Sequence, residues 1–284
     1  MALTEKLTSI ADAIRSKTGS ADKLTLEQMA TAIGGIETGG GGGISEQEII
    51  DSIADNNFPN GNITLNCKVV QDNAFAYCAG ITGVSSETVI GIRNSAFSNC
   101  KNMTSVYFPA LEYSYSSTFN GCTALKKLSL PKLITYYTGS IAVGCTSLEE
   151  VDFPVFNNTL MGQSFKNCTK LQRVNIPLVT ELGGYAFQSC TSLSFLDLPS
   201  VTNIGGQALY GATNLNTIVL RYGGVCALAN TNAFTNTPFA AGKSGGTIYV
   251  PQALITEYQK ATNWSTLYAA GTCNFVAIEG SEYE

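Results

Sequence analysis

The chain has 284 residues, of which 44% are hydrophobic, so it can bury one large core with appendages to spare. Only 13% of residues are charged and the net charge is −5, with no dense Lys/Arg run, so the basic stripe that a phosphate backbone requires is missing and nucleic acid is not an expected partner. Histidine is absent, which removes Ser-His-Asp, Cys-His and HExxH zinc chemistry together, and no apolar run reaches the roughly 18 residues of a membrane span.

The N-terminus, Met1 to Leu7, lacks the basic and apolar regions of a secretory signal. The chain is therefore expected to be made in the cytoplasm and not to leave by the signal-peptide route. Leu3, Leu7, Ile10 and Ile14 recur at steps of four, three and four, which predicts a helix with one narrow apolar stripe. The stripe follows coiled-coil spacing for under two heptads, too short to stand alone, so it needs a partner. Lys17-Thr18-Gly19 ends it, and a second short helix is predicted from Leu26 to Ile33, with Thr25 as N-cap and Gln28 as its capping-box partner. Five glycines, Gly39 to Gly43, then form a flexible tether. Residues 1–38 thus read as a docking or oligomerisation module and 39–43 as its linker, and the residues alone leave a homo-oligomer open. The stretch Asp12 to Gly19 followed by Leu26 to Ile33 resembles the short N-terminal module of tail-associated structural proteins of phages and prophages of Gram-positive bacteria. The resemblance covers about the first 35 residues. It implies docking on a virion tail or baseplate protein.

Residues 44–67 read as an N-terminal cap for a repeated region. Ser45 and Glu48 make a capping box, Ile44 and Ile49 a hydrophobic staple, and the helix runs to about Asp55. Asn62 to Cys67 alternates like a strand.

From residue 68 to 246 the chain repeats itself. Cysteines at 78, 100, 122, 145, 168 and 190 mark one position in a unit of 22 or 23 residues, a period that signals a solenoid. Three residues before the cysteine stands Phe75, Phe97, Phe119, Phe165 or Phe187, with Ala142 and Leu209 as exceptions. After it come Leu or Met, then a short strand with apolar residues two apart, such as Val151 and Phe153, and then a proline at 109, 131, 154, 177 or 199. Residues two apart on a strand share a face, so these pairs point into the core. Stacked units give an α+β repeat solenoid, a leucine-rich-repeat-like stack with a parallel β-sheet, preceded by the short helical module. The cysteines read as small buried side chains rather than ligands: no CxxC pair exists, and Ala212 stands where the next one would be. No metal or cofactor is expected. Irregularities are expected near Ile141 to Gly144, and after Leu220, where an insertion is predicted.

The stretches Ile92 to Pro109 (IRNSAFSNCKNMTSVYFP) and Leu182 to Pro199 (LGGYAFQSCTSLSFLDLP) resemble the BspA-like, Treponema-type leucine-rich repeat. That resemblance covers about 170 residues. It implies surface adhesion and protein or glycan binding.

The strand positions that alternate with the core pairs vary at every rung. They include Tyr107, Lys127, Glu150, Asp152, Arg173, Asn175, Phe195 and Asp197. On a rigid concave sheet this mixture of charge and aromatics suits recognition. An ordinary solvated face, with Glu150 and Arg173 as a cross-strand pair, fits equally. Tyr113, Tyr115, Tyr136 and Tyr137 form a second candidate, as loop aromatics that either stack on a ligand or pack on each other. Residues 247–284 read as a cap: a strand ending at Pro251, a helix with Leu254, Ile255 and Tyr258, a core Trp264, and an acidic tail from Glu279 to Glu284. Glu150, Asp152 and Asp197 are the only carboxylates placed on one face, and they are not arranged for acid–base work. The expectation is a non-enzymatic, tail-associated virion protein that recognises a host-surface protein or glycan, or alternatively a BspA-like adhesin at a bacterial surface, with no membrane insertion.

Overall fold

The computed structural model describes residues 61–284 except 138, 241 and 244. The helices expected with Leu3, Leu7, Ile10 and Ile14 and over 26–33 and 44–55, and the tether expected at 39–43, lie outside the described residues.

Each unit lays down one strand on each of two faces. On the first face run β1 (Gly61–Thr64), β3 (Ile81–Ser85), β5 (Ser105–Tyr107), β7 (Lys127–Ser129), β9 (Glu150–Asp152), β11 (Arg173–Asn175), β13 (Phe195–Leu198), β15 (Thr217–Leu220) and β17 (Gly246–Val250). On the second run two-residue strands: β2 (Val69–Val70), β4 (Gly91–Ile92), β6 (Tyr113–Ser114), β8 (Thr135–Tyr136), β10 (Thr159–Leu160), β12 (Glu181–Leu182), β14 (Asn203–Ile204) and β16 (Ala227–Leu228). All pairings are parallel and join equivalent strands of successive units, for example Lys127↔Glu150↔Arg173 on the first face and Tyr113↔Thr135 on the second. The result is a stacked solenoid of about eight turns. The first face is laddered in three blocks, β1-β3-β5, β7-β9-β11 and β13-β15-β17, so hydrogen-bonded pairing lapses between β5 and β7 and between β11 and β13.

The register read from the cysteines holds. Val151, Phe153, Leu196, Leu198, Ile218 and Leu220 are buried, while Lys127, Arg173 and Asn175 are exposed. The turn before each cysteine is sharp because it holds two left-handed residues. Asn99 and Asn167 stand directly before a cysteine with φ near +60°, and Gly121, Gly144 and Gly211 take the same place in other units. Asn and Gly are the residues that reach this region at least cost. In that turn the backbone donates to the next unit: Phe75 N to Ala96 O, Phe97 N to Thr118 O, Phe165 N to Ala186 O.

The cysteines add a second ladder in the opposite direction. The thiols of Cys100, Cys122, Cys145, Cys168 and Cys190 donate to the carbonyls of Phe75, Phe97, Phe119, Ala142 and Phe165 in the preceding unit, at 3.0 to 3.2 Å. A side chain of this size with a weak donor fills the core and also satisfies a buried carbonyl. Burial pushes the thiols of Cys78 and Cys145 up to about 12, so they stay protonated and unreactive.

Aromatic rings stack along the core, Phe75 on Phe97 on Phe119 and Phe165 on Phe187. At Ala142 the stack has no ring. In that stretch Tyr136 occupies the inward place that Val70, Ile92 or Leu160 fills elsewhere, and it stacks on Phe156 at 5.1 Å. The second face also splits here, with no ladder between β8 and β10. This coincides with the irregularity expected near Ile141.

After β15 the chain makes a longer excursion, so that Thr217 pairs with Thr247. It contains β16 and a 3-10 turn, Thr231–Phe234, whose Phe234 packs at a tilt against Phe239 and Trp264. Two short helices, α1 (Ile255–Lys260) and α2 (Trp264–Ala269), then close the stack. Trp264 is fully buried and its Nε1 donates to Cys226 O, while Tyr258 Oη accepts from Cys226 N. A final strand that the sequence did not announce, β18 (Cys273–Ala277), pairs parallel to β17.

Candidate recognition surface

In each strand of the first face the residues flanking the core side chain must point outward, and the parallel register brings equivalent residues side by side. Glu150 on the central strand β9 is therefore flanked by Lys127 on β7 and Arg173 on β11. Its carboxylate takes Lys127 Nζ on one oxygen and Arg173 Nη2, at 2.9 Å, on the other. The hydrogen bond from Lys127, then that from Arg173, holds the Glu150 carboxyl below its usual range. One rung position further along, Asp152 accepts from Ser129 Oγ at 2.8 Å and from Asn175 Nδ2 at 2.7 Å. Asp197 is held by Arg221, Nε to Oδ1 at 3.1 Å and Nη2 to Oδ2 at 3.1 Å. The three carboxylates that the sequence places on this face are thus each bonded to neighbouring side-chain donors. These pairs add little stability, because such exposed pairs contribute at most about 1 kcal/mol each. What they do is set opposite charges of three neighbouring strands against one another.

Where β5 and β7 part, a groove of about 390 Å³ opens, lined by Ser105, Tyr107, Pro109, Lys126, Lys127 and Pro131 among others. Tyr107 is 54% exposed. The groove therefore offers an aromatic ring, hydroxyls and two lysines, and no carboxylate lines it.

Two sequence expectations need correction. Tyr136 is not an exposed loop aromatic: it lies in β8, 1% exposed, with its hydroxyl bonded to Ser164 Oγ and Met161 N. Its ring belongs to the core because Ala142 leaves the aromatic stack empty at that turn. Phe195 does point outward, but it is not free. Tyr283 of the acidic tail stacks on it at 5.3 Å, and the same tyrosine meets Tyr249 edge-on at 4.6 Å.

The other tyrosines gather on the second face. Tyr115 and Tyr137 lie 4.7 Å apart, Tyr113 is within 6.4 Å of both, and the Arg93 guanidinium sits over Tyr115 at 5.1 Å. Tyr113 packs over Gly91, where an added Cβ would overlap its ring. The alternative of mutual packing is thus what these three rings do.

Sequence reasoning missed Arg221, Tyr249 and Tyr283. Extending the alternation into β17 would have placed Tyr249 outward. Nothing periodic points to the other two.

A family model described as the BspA-type leucine-rich repeat region matches residues 51–172 and 143–242, in six copies. The chain belongs to the BspA-type leucine-rich repeat family. Both stretches that carry the repeat signature, Ile92 to Pro109 and Leu182 to Pro199, fall within the match, whereas residues 1–50 precede it. Among solved structures, this BspA-type chain is similar to a leucine-rich repeat protein from Bacteroides ovatus, with 21% identity and a TM-score of 0.47. That likeness covers 77% of this chain and 66% of the other. It is also similar to a leucine-rich repeat protein from T. pallidum, 21% identical over 46% of this chain and 77% of that one, TM-score 0.35. A leucine-rich cell surface protein from Faecalibacterium prausnitzii is 16% identical, covering 79% and 84%, TM-score 0.26. No curated protein matches the chain in sequence.

Proposed function

We propose that this protein is a non-enzymatic binding component of a phage or prophage tail. In this reading it docks on a virion tail or baseplate protein through residues 1–38 and recognises a host-surface protein or glycan through the first face of its solenoid. The observation that carries the recognition half is the outward, charge-paired strip of Lys127, Glu150 and Arg173 across three laddered strands, with the exposed ring of Tyr107 on β5 beside it. The commitment of Glu150, Asp152 and Asp197 to cationic and amide donors supports binding over catalysis. The docking half is supported by the resemblance of the first 35 residues to tail-associated modules. Membership of the BspA-type family favours a second reading on the same face, that of a protein-interaction or adhesin module at a bacterial surface.

The test uses the fluorescently labelled full chain against a panel of Gram-positive bacterial cells. Tyr107→Ala with Arg173→Ala should lower binding at least tenfold while leaving the melting temperature within about 2 °C, as surface changes do. Unchanged binding refutes the recognition face. Gold-labelled antibody should decorate the tail of particles from a producing strain, and decoration of the bacterial surface alone selects the adhesin reading.

A further inference from the structure

The outward residues of the first face are exposed or half-exposed on most rungs, but one on β15 is not. Val219 points outward, between Asp197 on β13 and Tyr249 on β17, and yet it is fully buried. Two groups flank it: the Asp197–Arg221 pair on one side, and Tyr283 of the segment Glu279 to Glu284 on the other. Tyr283 stacks on Phe195 of β13, interplanar angle 23°, and meets Tyr249 of β17 at 65°, so its ring spans the strand between them. Phe195 and Tyr249 thus stand on the strands either side of Val219, and the half-buried ring of Tyr283 lies against both.

The way the segment is held matters. Ser281 N and Oγ donate to Ile278 O, Tyr283 N donates to Ser281 Oγ, Glu284 N donates to Ser281 O, and Gly280 N donates to Glu284 Oε2. Among the described residues, every one of these bonds stays within 278–284, and none ties residues 280–284 to the sheet. The segment is a self-contained turn, anchored at its base where Glu279 accepts from Gln252 N. Tyr283 rests on the sheet through ring contacts alone. Such a contact opens without leaving a backbone group unpaired, unlike any strand of the sheet.

We propose that the slot between Phe195 and Tyr249 is a subsite for an aromatic side chain of a partner protein, and that Tyr283 occupies it in the partner's absence. The inference rests on the reading of the first face as the recognition surface and names the partner chemistry at one end of it. A protein partner is favoured over a sugar because the resident is itself a peptide ring, and the polar groups beside it, Asp197 and Arg221, are already bonded to each other. The resident also indicates the flanking chemistry: Glu282 and Glu284 bracket Tyr283, so an acidic peptide with a central tyrosine is the matching ligand. A tethered resident competes at an effective concentration on the order of millimolar, and a competitor's apparent affinity falls by the fraction of time the slot is open.

The test compares the full chain, Tyr283→Ala, and a chain ending at Ile278. The probe is a fluorescein-labelled peptide of sequence Glu-Gly-Ser-Glu-Tyr-Glu, followed by polarisation. Both altered forms should bind it at least tenfold more tightly than the unaltered chain. Adding Phe195→Ala to Tyr283→Ala should abolish the gain, and N-acetyltyrosine amide should compete where glucose does not. Equal binding by all three forms, a gain that survives Phe195→Ala, or competition by the sugar instead overturns the proposal. Binding to the bacterial panel separates the two readings. Tyr283→Ala should bind cells more tightly than the unaltered chain. If it binds no better while Tyr107→Ala with Arg173→Ala loses binding, the slot proposal falls and the recognition face stands. If the latter variant binds as the unaltered chain does, the face reading falls and takes this inference with it.

Discussion

The most informative single perturbation is Tyr136→Phe. Ser164 Oγ donates its one proton to Met161 O, so the proton between Tyr136 and Ser164 must come from the tyrosine, whose oxygen in turn accepts from Met161 N. The three groups form a closed ring of hydrogen bonds inside the core, and burial holds the Tyr136 phenol well above its ordinary value, so it is a neutral donor at any working pH. Removing the hydroxyl alone keeps the stack on Phe156 and the volume, but strands the Met161 N–H and takes the donor away from Ser164. An unsatisfied buried donor costs about 1–3 kcal/mol. Taking about 2 kcal/mol, and about 2–4 °C per kcal/mol for a domain of this size, the midpoint should fall by roughly 4–8 °C. The assay is thermal unfolding by circular dichroism, with Tyr137→Phe as control. Tyr137 is 51% exposed, and its hydroxyl should be dispensable to within about 0.5 kcal/mol. In the double variant with Ser164→Ala the losses should be less than additive, since one ring is broken twice. A Tyr136→Phe midpoint equal to the unaltered one would refute the argument that this ring compensates for the polar groups it brings into the core.

The same geometry makes further outcomes checkable. None of the nine cysteines should react with a thiol reagent at pH 8 in the folded chain, and all should react in denaturant, since every one is buried; rapid labelling of Cys145 would contradict its raised value. The Glu150 carboxyl is depressed, so its contribution is present above the unfolded value near 4.3 and is lost as pH falls through the lower folded value. Glu150→Gln should therefore flatten the acid limb of a stability–pH curve slightly, by under about 1 kcal/mol because its partners are exposed. Trp264→Ala should cost about 3–5 kcal/mol and loosen the closing helices first, which hydrogen exchange at Cys226 N would report.

The repeat register was legible because core and outward positions alternate with a fixed period from each cysteine. Val151 and Phe153 inward, Glu150 and Asp152 outward, needed only that count. The count fails at Tyr136. The step from Cys122 to Cys145 holds an extra residue, so counting back from Cys145 puts Tyr137 where the other units have their buried strand residue. Ladder pairing instead sets Tyr136 opposite Ser114 and buries it. One inserted residue exchanges a core ring for a surface ring, and only the neighbouring strand decides which. The covering of Phe195 was illegible for another reason. Tyr283 lies far along the chain from β13, and its segment carries no period that would place it. The Asp197–Arg221 pair likewise depends on how the chain leaves β15, at the edge of the regular repeat.

The two ladders have a consequence for how such a chain can change length. Thiol donors link each unit to the one before it, and turn amides link it to the one after. The units from Cys100 to Cys190 all offer the same pair of joints. A duplicated or excised stretch of one whole unit would therefore rejoin sulfur to carbonyl and amide to carbonyl without re-fitting its neighbours. Recombination between repeats could lengthen, shorten or reshuffle the outward strip while the interior kept its stacking. A fragment of any other length would shift the two ladders against each other. Inheritance by whole units is thus built into the hydrogen bonding of the core.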